Sequence, residues 1–581
     1  MRSFAEAFDG LLGAVAGKRI QILGDRLNRQ GVKLPDSLQE AVDATLDRAR
    51  AEGWARRLWA KDASLWTGQD EGKWLGWLAA GRGEQVDLEA LEAFQAEVRG
   101  AGFAHAVLLG MGDLASVPRS SPRPSAPGGL SQAPGAGFHR PGQIAHIRAQ
   151  IDPKATLFIV SSKSGTTLEP NILYDYFHDV TAQAVGAADA ASHFVAITDP
   201  GSKLQALAEE TGFRHVFLGD PEIGGRYSVL SNFGMVPAAV MGLDVRAFLE
   251  TTRVMTRACG PSAPPAANPG FVLGAAMGEA AARGCDKVTI LASEGLADLG
   301  AWLEQLLAES TGKHGKGLIP VDGEPPGAAH VYSFDRLFAY LRSAERDEPE
   351  LDGLVRELEE AGHPVVRIMV ERREAIGQEF FRWEVAVAVA GAVMALDPFD
   401  QPDVEASKVK TRALTEAYEK TGQLDGGAPI LVTDGVALYA DAANAGALAQ
   451  AAGADTLEAY IDAHLRRASE GELHRPARLP RPQPPPRRGA GGRARAHPRR
   501  AQGRHRGRLR AAVPALHRPG PTRAGRTPAS SCRSPPTRRP AGTFPCPASA
   551  TASRRRGGHG GGRFHGPGRA RPAAPAPAPG L

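Results

Sequence analysis

Short apolar runs alternate with helical patterns along most of the first 470 residues. Runs rich in Val, Ile, Leu and Phe stand at His105–Leu109, Thr156–Val160, Phe194–Thr198 and Val216–Leu218. A second series stands at Val288–Ala292, Val331–Phe334, Val365–Val370 and Ile430–Thr433. Between them, apolar residues recur three and four apart. Buried strands alternating with helices predict parallel sheets covered on both faces, and two series predict two α/β/α sandwiches. Residues 20–100 read as helices, with Trp54, Trp59, Trp66, Trp74 and Trp77 as packing or interface residues. The Pro/Ala-rich stretch Gly260–Asn268 reads as a linker. The expected organisation is a helical region at 20–100, a first α/β domain at 101–245, a second at 271–473 and a tail at 474–581.

Composition changes this picture mainly at the tail. The formal charge of +5 averages two unlike pieces. From His474 onward there are 25 arginines and no lysine, aspartate or glutamate, which leaves 44 basic against 64 acidic side chains in residues 1–473, a net charge of −20. The tail is too charged and too poor in large apolar groups to bury a core and reads as disordered. A basic arm can bind nucleic-acid phosphates, but this one has almost no aromatic rings to stack on bases, so nucleic acid is not the expected partner. No apolar run reaches the roughly 18 residues of a membrane span. The N-terminus carries Glu6 and Asp9 and lacks a signal-peptide core. Four cysteines in 581 residues do not make a disulfide framework. The expected location is the cytoplasm, without a membrane partner.

The strand at Thr156–Val160 runs into Ser161, Ser162, Lys163, Ser164, Gly165, Thr166 and Thr167, and a helical segment follows from Leu168. A strand, a hydroxyl-rich turn and a helix N-terminus can hold a phosphate, because free backbone N–H groups and the positive helix end face the anion. The same residues also suit an ordinary strand-to-helix turn with a capping serine. No G-x-x-x-x-G-K-[ST] pattern is present, so a nucleotide P-loop is not expected.

The spacing of this turn resembles the sugar isomerase (SIS) domain, and within it the glucose-6-phosphate isomerase family. Four further strings match that family or fall at its expected places. Ile223 to Ser228 puts Arg226 on a glycine-flanked loop, where a guanidinium can stabilise an oxyanion. Gln305 to Lys313 reads as a helix end closed by Gly312, with Gln305 and Glu309 sharing a face. Asp397 to Lys408 includes Pro402 at a first helical position and puts Gln401 and Lys408 two turns apart on one side. Ile376 to Glu384 falls where many relatives carry Gly-Gln-His, with Glu379 in the histidine's slot. Taken singly, Arg226, Glu309, Lys408 and Glu379 also read as solvated side chains.

The resemblance implies aldose–ketose isomerisation without metal or organic cofactor, in a homodimer with shared sites. The phosphate of a small sugar phosphate docks on Ser162, Lys163, Ser164, Thr166 and Thr167. Lys408, with Glu379, helps open the ring. Glu309 moves a proton between C2 and C1 through a cis-enediol, Arg226 offsets the enediolate charge, and Gln305 and Gln401 reach the sugar. Other readings are a non-catalytic SIS-type sugar-phosphate binding module and nucleic-acid binding through the tail.

Two segments depart from the family. Its sugar-contacting Gly-x-Gly-Gly-Ser loop, expected to continue from Gly110, becomes Asp113, Leu114, Ala115 and Ser116. Residues 113–140 and the tail from 474 read as shifted frames of a GC-rich gene. Shifted by one base, Val513 to Gly520 decodes to Phe-Leu-His-Ser-Thr-Gly-Gln, and Gly137 to Pro141 to Asp-Ser-Thr-Asp-Pro, both in keeping with the family. Residues 1–19 have helical periodicity and resemble the last helix of a transaldolase, which precedes the isomerase in bacterial fusions; the transaldolase barrel is absent from this sequence. The chain as written is therefore expected to be weakly active or inactive.

Overall fold

In the computed structural model, the described residues are 26–110, 131–132, 141–423, 427–433 and 435–469, with single positions at 11, 15 and 18. Most of 1–25, almost all of 113–140 and everything from 470 lie outside them, and with them the readings of a transaldolase-like helix, of shifted frames and of a disordered tail.

The apolar runs become strands buried on both faces. The first sheet is wholly parallel and combines β2 (His105–Gly110), β3 (Ser131–Gln132), β4 (Thr156–Ser161), β5 (Phe194–Thr198) and β6 (His215–Leu218) in the order β3-β2-β4-β5-β6. Every residue of β4 and β5 is buried. Successive side chains point to opposite faces, so each strand feeds two cores. Leu108, Ile159 and Ile197 enter a large core, while Val107, Phe158 and Phe194 pack on the other side of the sheet.

The second sheet combines β1 (Arg29–Lys33), β7 (Lys287–Ala292), β8 (Ile319–Val321), β9 (Arg336–Ser343) and β10 (Val365–Val370) in the order β1-β10-β9-β7-β8. Three pairings are parallel, whereas β1 joins β10 antiparallel. One face, with Ile290, Ala339 and Ile368, enters the same large core as the first sheet; the other, with Phe338 and Tyr340, makes its own small cluster.

The main helices are α1 (Asp36–Ala51), α2 (Leu168–Val185), α3 (Val245–Ala258), α4 (Pro269–Ala282), α5 (Leu299–Thr311), α6 (Gly377–Met394) and α7 (Pro402–Thr421). The segment Gly260–Asn268 does connect two helices, α3 and α4. Gly270, Gly274 and Gly278 form a stripe on α4 that presses against Val385, Ala386, Val389 and Val393 of α6, leaving no room for a Cβ. This close approach sets α6 into the large core, buried almost throughout.

Three sequence expectations are corrected. Residues 20–100 are not all helical, because Arg29–Lys33 forms the edge strand β1. The strand expected at Val331–Phe334 lies further on, at Arg336–Ser343; Val331 ends a short 3-10 turn, and Val331 and Phe334 are exposed. The strand expected at Ile430–Thr433 does not join a parallel sheet. Leu431–Thr433 pairs with Val436–Leu438 in a separate antiparallel hairpin. The tryptophans do pack inward: Trp54, Trp66 and Trp77 are buried, and Trp59 and Trp74 lie against the large core.

Candidate active site

The hydroxyl turn leaves β4 and enters α2. Its backbone is tied to the end of β5, with Ser162 N donating to Ile197 O (3.1 Å), Asp199 N to Lys163 O (3.0 Å) and Thr198 Oγ1 to Ser162 O (2.7 Å). Gly165 has φ +67°, a left-handed conformation that suits glycine. Its N–H donates to Ser162 Oγ at 3.1 Å, and Ser164 Oγ lies 2.7 Å from Thr166 Oγ1. Thr167 precedes α2 in an extended conformation without a side-chain cap. The hydroxyls and the first N–H groups of an 18-residue helix thus meet at one turn. Lys163 is already engaged. Its ammonium donates to Asp199 Oδ1 (2.8 Å) and Asp220 O (3.0 Å), bracing the loop that leads to Arg226. Burial raises the Asp199 pKa against the pull of Lys163.

That loop follows β6 and turns at Gly225–Tyr227. The Arg226 side chain is 0% exposed. Its Nε donates to Ser310 Oγ (2.7 Å), its Nη2 to Pro398 O (2.7 Å) and Asp400 O (3.0 Å), and its Nη1 to Gln401 Oε1 (3.2 Å). The same Nη1 lies 3.5 Å from Glu309 Oε2. Tyr227 OH sits 3.3 Å from both Ser310 Oγ and Pro398 O, and burial pushes its pKa up.

Glu309 stands on the last turn of α5, which buries Leu303, Leu306 and Leu307 as the pattern predicts. Gln305 Nε2 donates to Glu309 Oε1 at 3.1 Å, one turn earlier on the same face. The Glu309 side chain is 27% exposed, so a ligand can reach it. Beyond Gly312, Lys313 turns inward and donates to Asp397 O, Asp400 O and Asp400 Oδ1. Burial lowers the Lys313 pKa against the pull of Asp400, and burial raises that of Asp397. Gln401 then opens α7, with Pro402 at its first position.

The structure therefore brings together Arg226, Gln305, Glu309 and Gln401, from segments far apart in sequence. Lys408 is exposed on α7, about 9 Å of helical rise beyond Pro402. Glu379 stands in the interior. It is wholly buried on α6, accepts from Asn28 Nδ2 (2.9 Å) and lies 3.4 Å from Arg382 Nη2. The polar residues Gln378, Glu379 and Arg382 satisfy the backbone and side chains of the segment entering β1. Burial raises the Glu379 pKa, and its side chain is 0% exposed. Its signal in the sequence was an oppositely charged pair three residues apart in an apolar helix.

Sequence reasoning passed over Ser310, Lys313, Tyr227 and Asp400, although all four stand inside the quoted strings; an alternation of polar residues near a helix end does not say which ones turn inward. Among the described residues no group of three or more His, Cys, Asp or Glu side chains could hold a metal ion, and no helix is long and apolar enough to cross a membrane.

The family model described as phosphoglucose isomerase matches residues 140–318. The glucose-6-phosphate isomerase of Rubrobacter xylanophilus is 32% identical over 313 residues, covering 47% of this chain and 72% of that protein. The one from Parabacteroides distasonis is 31% identical over 303 residues, covering 45% and 67%. In fold, the chain is similar to a hypothetical protein of Thermus thermophilus, with a TM-score of 0.55 and 24% identity over 66% of this chain and 99% of that one. It is also similar to a glucose-6-phosphate isomerase from Chlamydia trachomatis, with a TM-score of 0.50 and 20% identity over 63% and 78%.

Proposed function

This chain belongs to the phosphoglucose isomerase family, and from that premise we propose that it interconverts glucose 6-phosphate and fructose 6-phosphate at the cluster around Arg226 and Glu309. The substrate phosphate docks on the turn Ser162–Thr167. Glu309 takes the C2 proton and returns it to C1 through a cis-enediol, and Arg226, fixed beside it, offsets the charge that develops on the oxygens. Gln305 holds one carboxylate oxygen, leaving the other to face the proton, and Gln401 orients the sugar. Lys408 is assigned to ring opening.

The observation that carries this reading is a partly exposed carboxylate 3.5 Å from a fully buried guanidinium. A module that only binds sugar phosphates needs the hydroxyl turn and has no use for that pair. We place the protein in the cytoplasm as a homodimer, a state supported by the exposed Val409, Leu414 and Tyr418 along α7. We also take 101–245 and 271–473 as its two SIS-type domains, each supported by a mainly parallel sheet.

The test is a coupled isomerase assay in both directions, on the chain as written and on a chain with 113–140 and the tail restored to the family's frame. The restored chain is expected to turn over, and Glu309→Gln in it to lose about 10²–10⁴ in rate while inorganic phosphate still binds. An inactive restored chain would overturn the isomerase reading. Near-normal activity of the written chain would overturn the importance given to the two segments.

A further inference from the structure

We propose that Lys313 is a positioning residue for the isomerase reaction, fixing the Asp397–Gln401 loop so that Gln401 and Arg226 meet the substrate in register; this rests on the function proposed above. Lys313 follows Gly312, the end of the helix that carries Glu309. A tight turn, in which Lys313 N donates to Lys316 O (3.0 Å) and Lys316 N to Lys313 O (2.9 Å), directs its side chain inward. The side chain is 4% exposed. An ammonium has three N–H donors, and all three meet acceptors of one four-residue loop: Asp397 O, Asp400 O and Asp400 Oδ1.

The other side of that loop is held by Arg226, whose Nη2 donates to Pro398 O and Asp400 O. Two buried cations thus share the carbonyls of Asp397, Pro398 and Asp400, immediately before Gln401. Phe399 between them is buried, with its ring edge-on to Trp66 at 5.1 Å. Gln401 O accepts from Val404 N at 3.2 Å, so α7 holds the residue on one side and this loop positions it on the other. Because Lys313 lies four residues after Glu309, it also fixes the spacing between the helix that carries the base and the loop that carries Gln401. A neutral side chain of similar length would take the donor from Asp397 O and Asp400 Oδ1 and leave Asp400 O to Arg226 Nη2 alone, and a displacement of about 1 Å in a reacting site costs about 10²-fold in rate.

The experiment uses the full chain, with 113–140 and the tail restored as above, carrying Lys313→Met, Gln401→Ala or both. In Lys313→Met, amide hydrogen exchange at 399–404 is expected to quicken at least tenfold while exchange within α5 is unchanged. Turnover should fall about 10- to 100-fold with inorganic phosphate affinity within twofold of the parent. Gln401→Ala added to Lys313→Met should cost no more than a further twofold, because the glutamine is already misplaced. Independent, multiplying effects of the two substitutions would overturn the proposal, as would unchanged exchange at 399–404. Equal losses in turnover and phosphate binding would reduce Lys313 to general stabilisation and overturn it too. If the restored parent shows no isomerase activity, the function fails, and the exchange measurement alone then decides the clamp. Should Lys313→Met not fold, Asp400→Ala removes one of the three acceptors on a side chain that is 45% exposed. It is expected to quicken exchange at the same amides by a smaller factor, and no change there would overturn the clamp.

Discussion

Arg226 Nη1 stands 3.5 Å from Glu309 Oε2, although the two residues are 83 positions apart in the chain. The spacing is looser than the 2.7–2.9 Å typical of a charge-assisted bond. The guanidinium is instead held by four other acceptors, so it stays in place while the carboxylate gains and loses a proton. A lysine at 226 has no planar fork and cannot reach Ser310, Pro398, Asp400 and Gln401 together. Arg226→Lys is therefore expected to lower turnover about 10²- to 10³-fold with phosphate binding nearly intact. Steady-state kinetics with phosphate as competitor reads both quantities. Turnover within threefold of the parent would show that the fork is dispensable.

The phosphate turn depends on Gly165. Its φ of +67° is strained for any side chain, and a Cβ there would overlap the backbone nitrogen of Leu204. Gly165→Ala is expected to cost about 1–3 kcal/mol of stability from the conformation alone and to weaken phosphate binding, because the N–H that meets Ser162 Oγ must move. Urea unfolding and phosphate titration measure the two effects. An unchanged midpoint and affinity would mean that the turn relaxes at no cost.

Glu379 offers a test of burial against motif. Its carboxyl is enclosed by Asn28 and Arg382, with its pKa raised by burial. Glu379→Gln keeps an oxygen for Asn28 and should leave turnover within about threefold, a loss far smaller than removal of a general acid or base produces. A tenfold or greater loss at unchanged melting temperature would give this residue a chemical role and contradict its enclosure.

Glu384 sets a pH dependence of stability. It is wholly buried, and neither carboxyl oxygen has a hydrogen-bond partner among the described residues. Burial raises its pKa well above the usual 4.5. The folded state keeps a proton that the unfolded chain has released, so between 4.5 and the folded value stability falls as pH rises. Glu384→Gln removes this titration. The parent is expected to lose more stability than the variant between pH 5 and pH 8, read by urea midpoints. Parallel losses would mean that Glu384 does not sit as a buried neutral acid.

The strands of the first sheet were legible because a strand covered on both faces must be apolar along its whole length, as Thr156–Ser161 and Phe194–Thr198 are. Arg29–Lys33 was not, since its only apolar side chain is Val32 and its pairing comes from residues 365–369. Of the site, the strings carrying Arg226, Glu309 and Gln401 were readable as units, and the structure joins them. The burial of Glu379 was not legible, because its string fits a family position while its hydrogen-bond partner Asn28 comes from the far end of the chain. Lys313 escaped notice for the opposite reason: a lysine after a glycine at a helix end looks solvated until the loop that covers it is known.

The edge strand β1 also bears on how the chain is made. Arg29 is ion-paired with Glu371, 342 residues later. At about 5–20 residues per second, a ribosome needs roughly 17–70 s to synthesise that interval. β1, the first strand among the described residues, is thus paired late, a long-range closure of the kind that slows folding. Its sequence suits the wait. With a positive charge at each end and a glycine at its centre, it makes a poor template for the exposed edge of a neighbouring nascent chain.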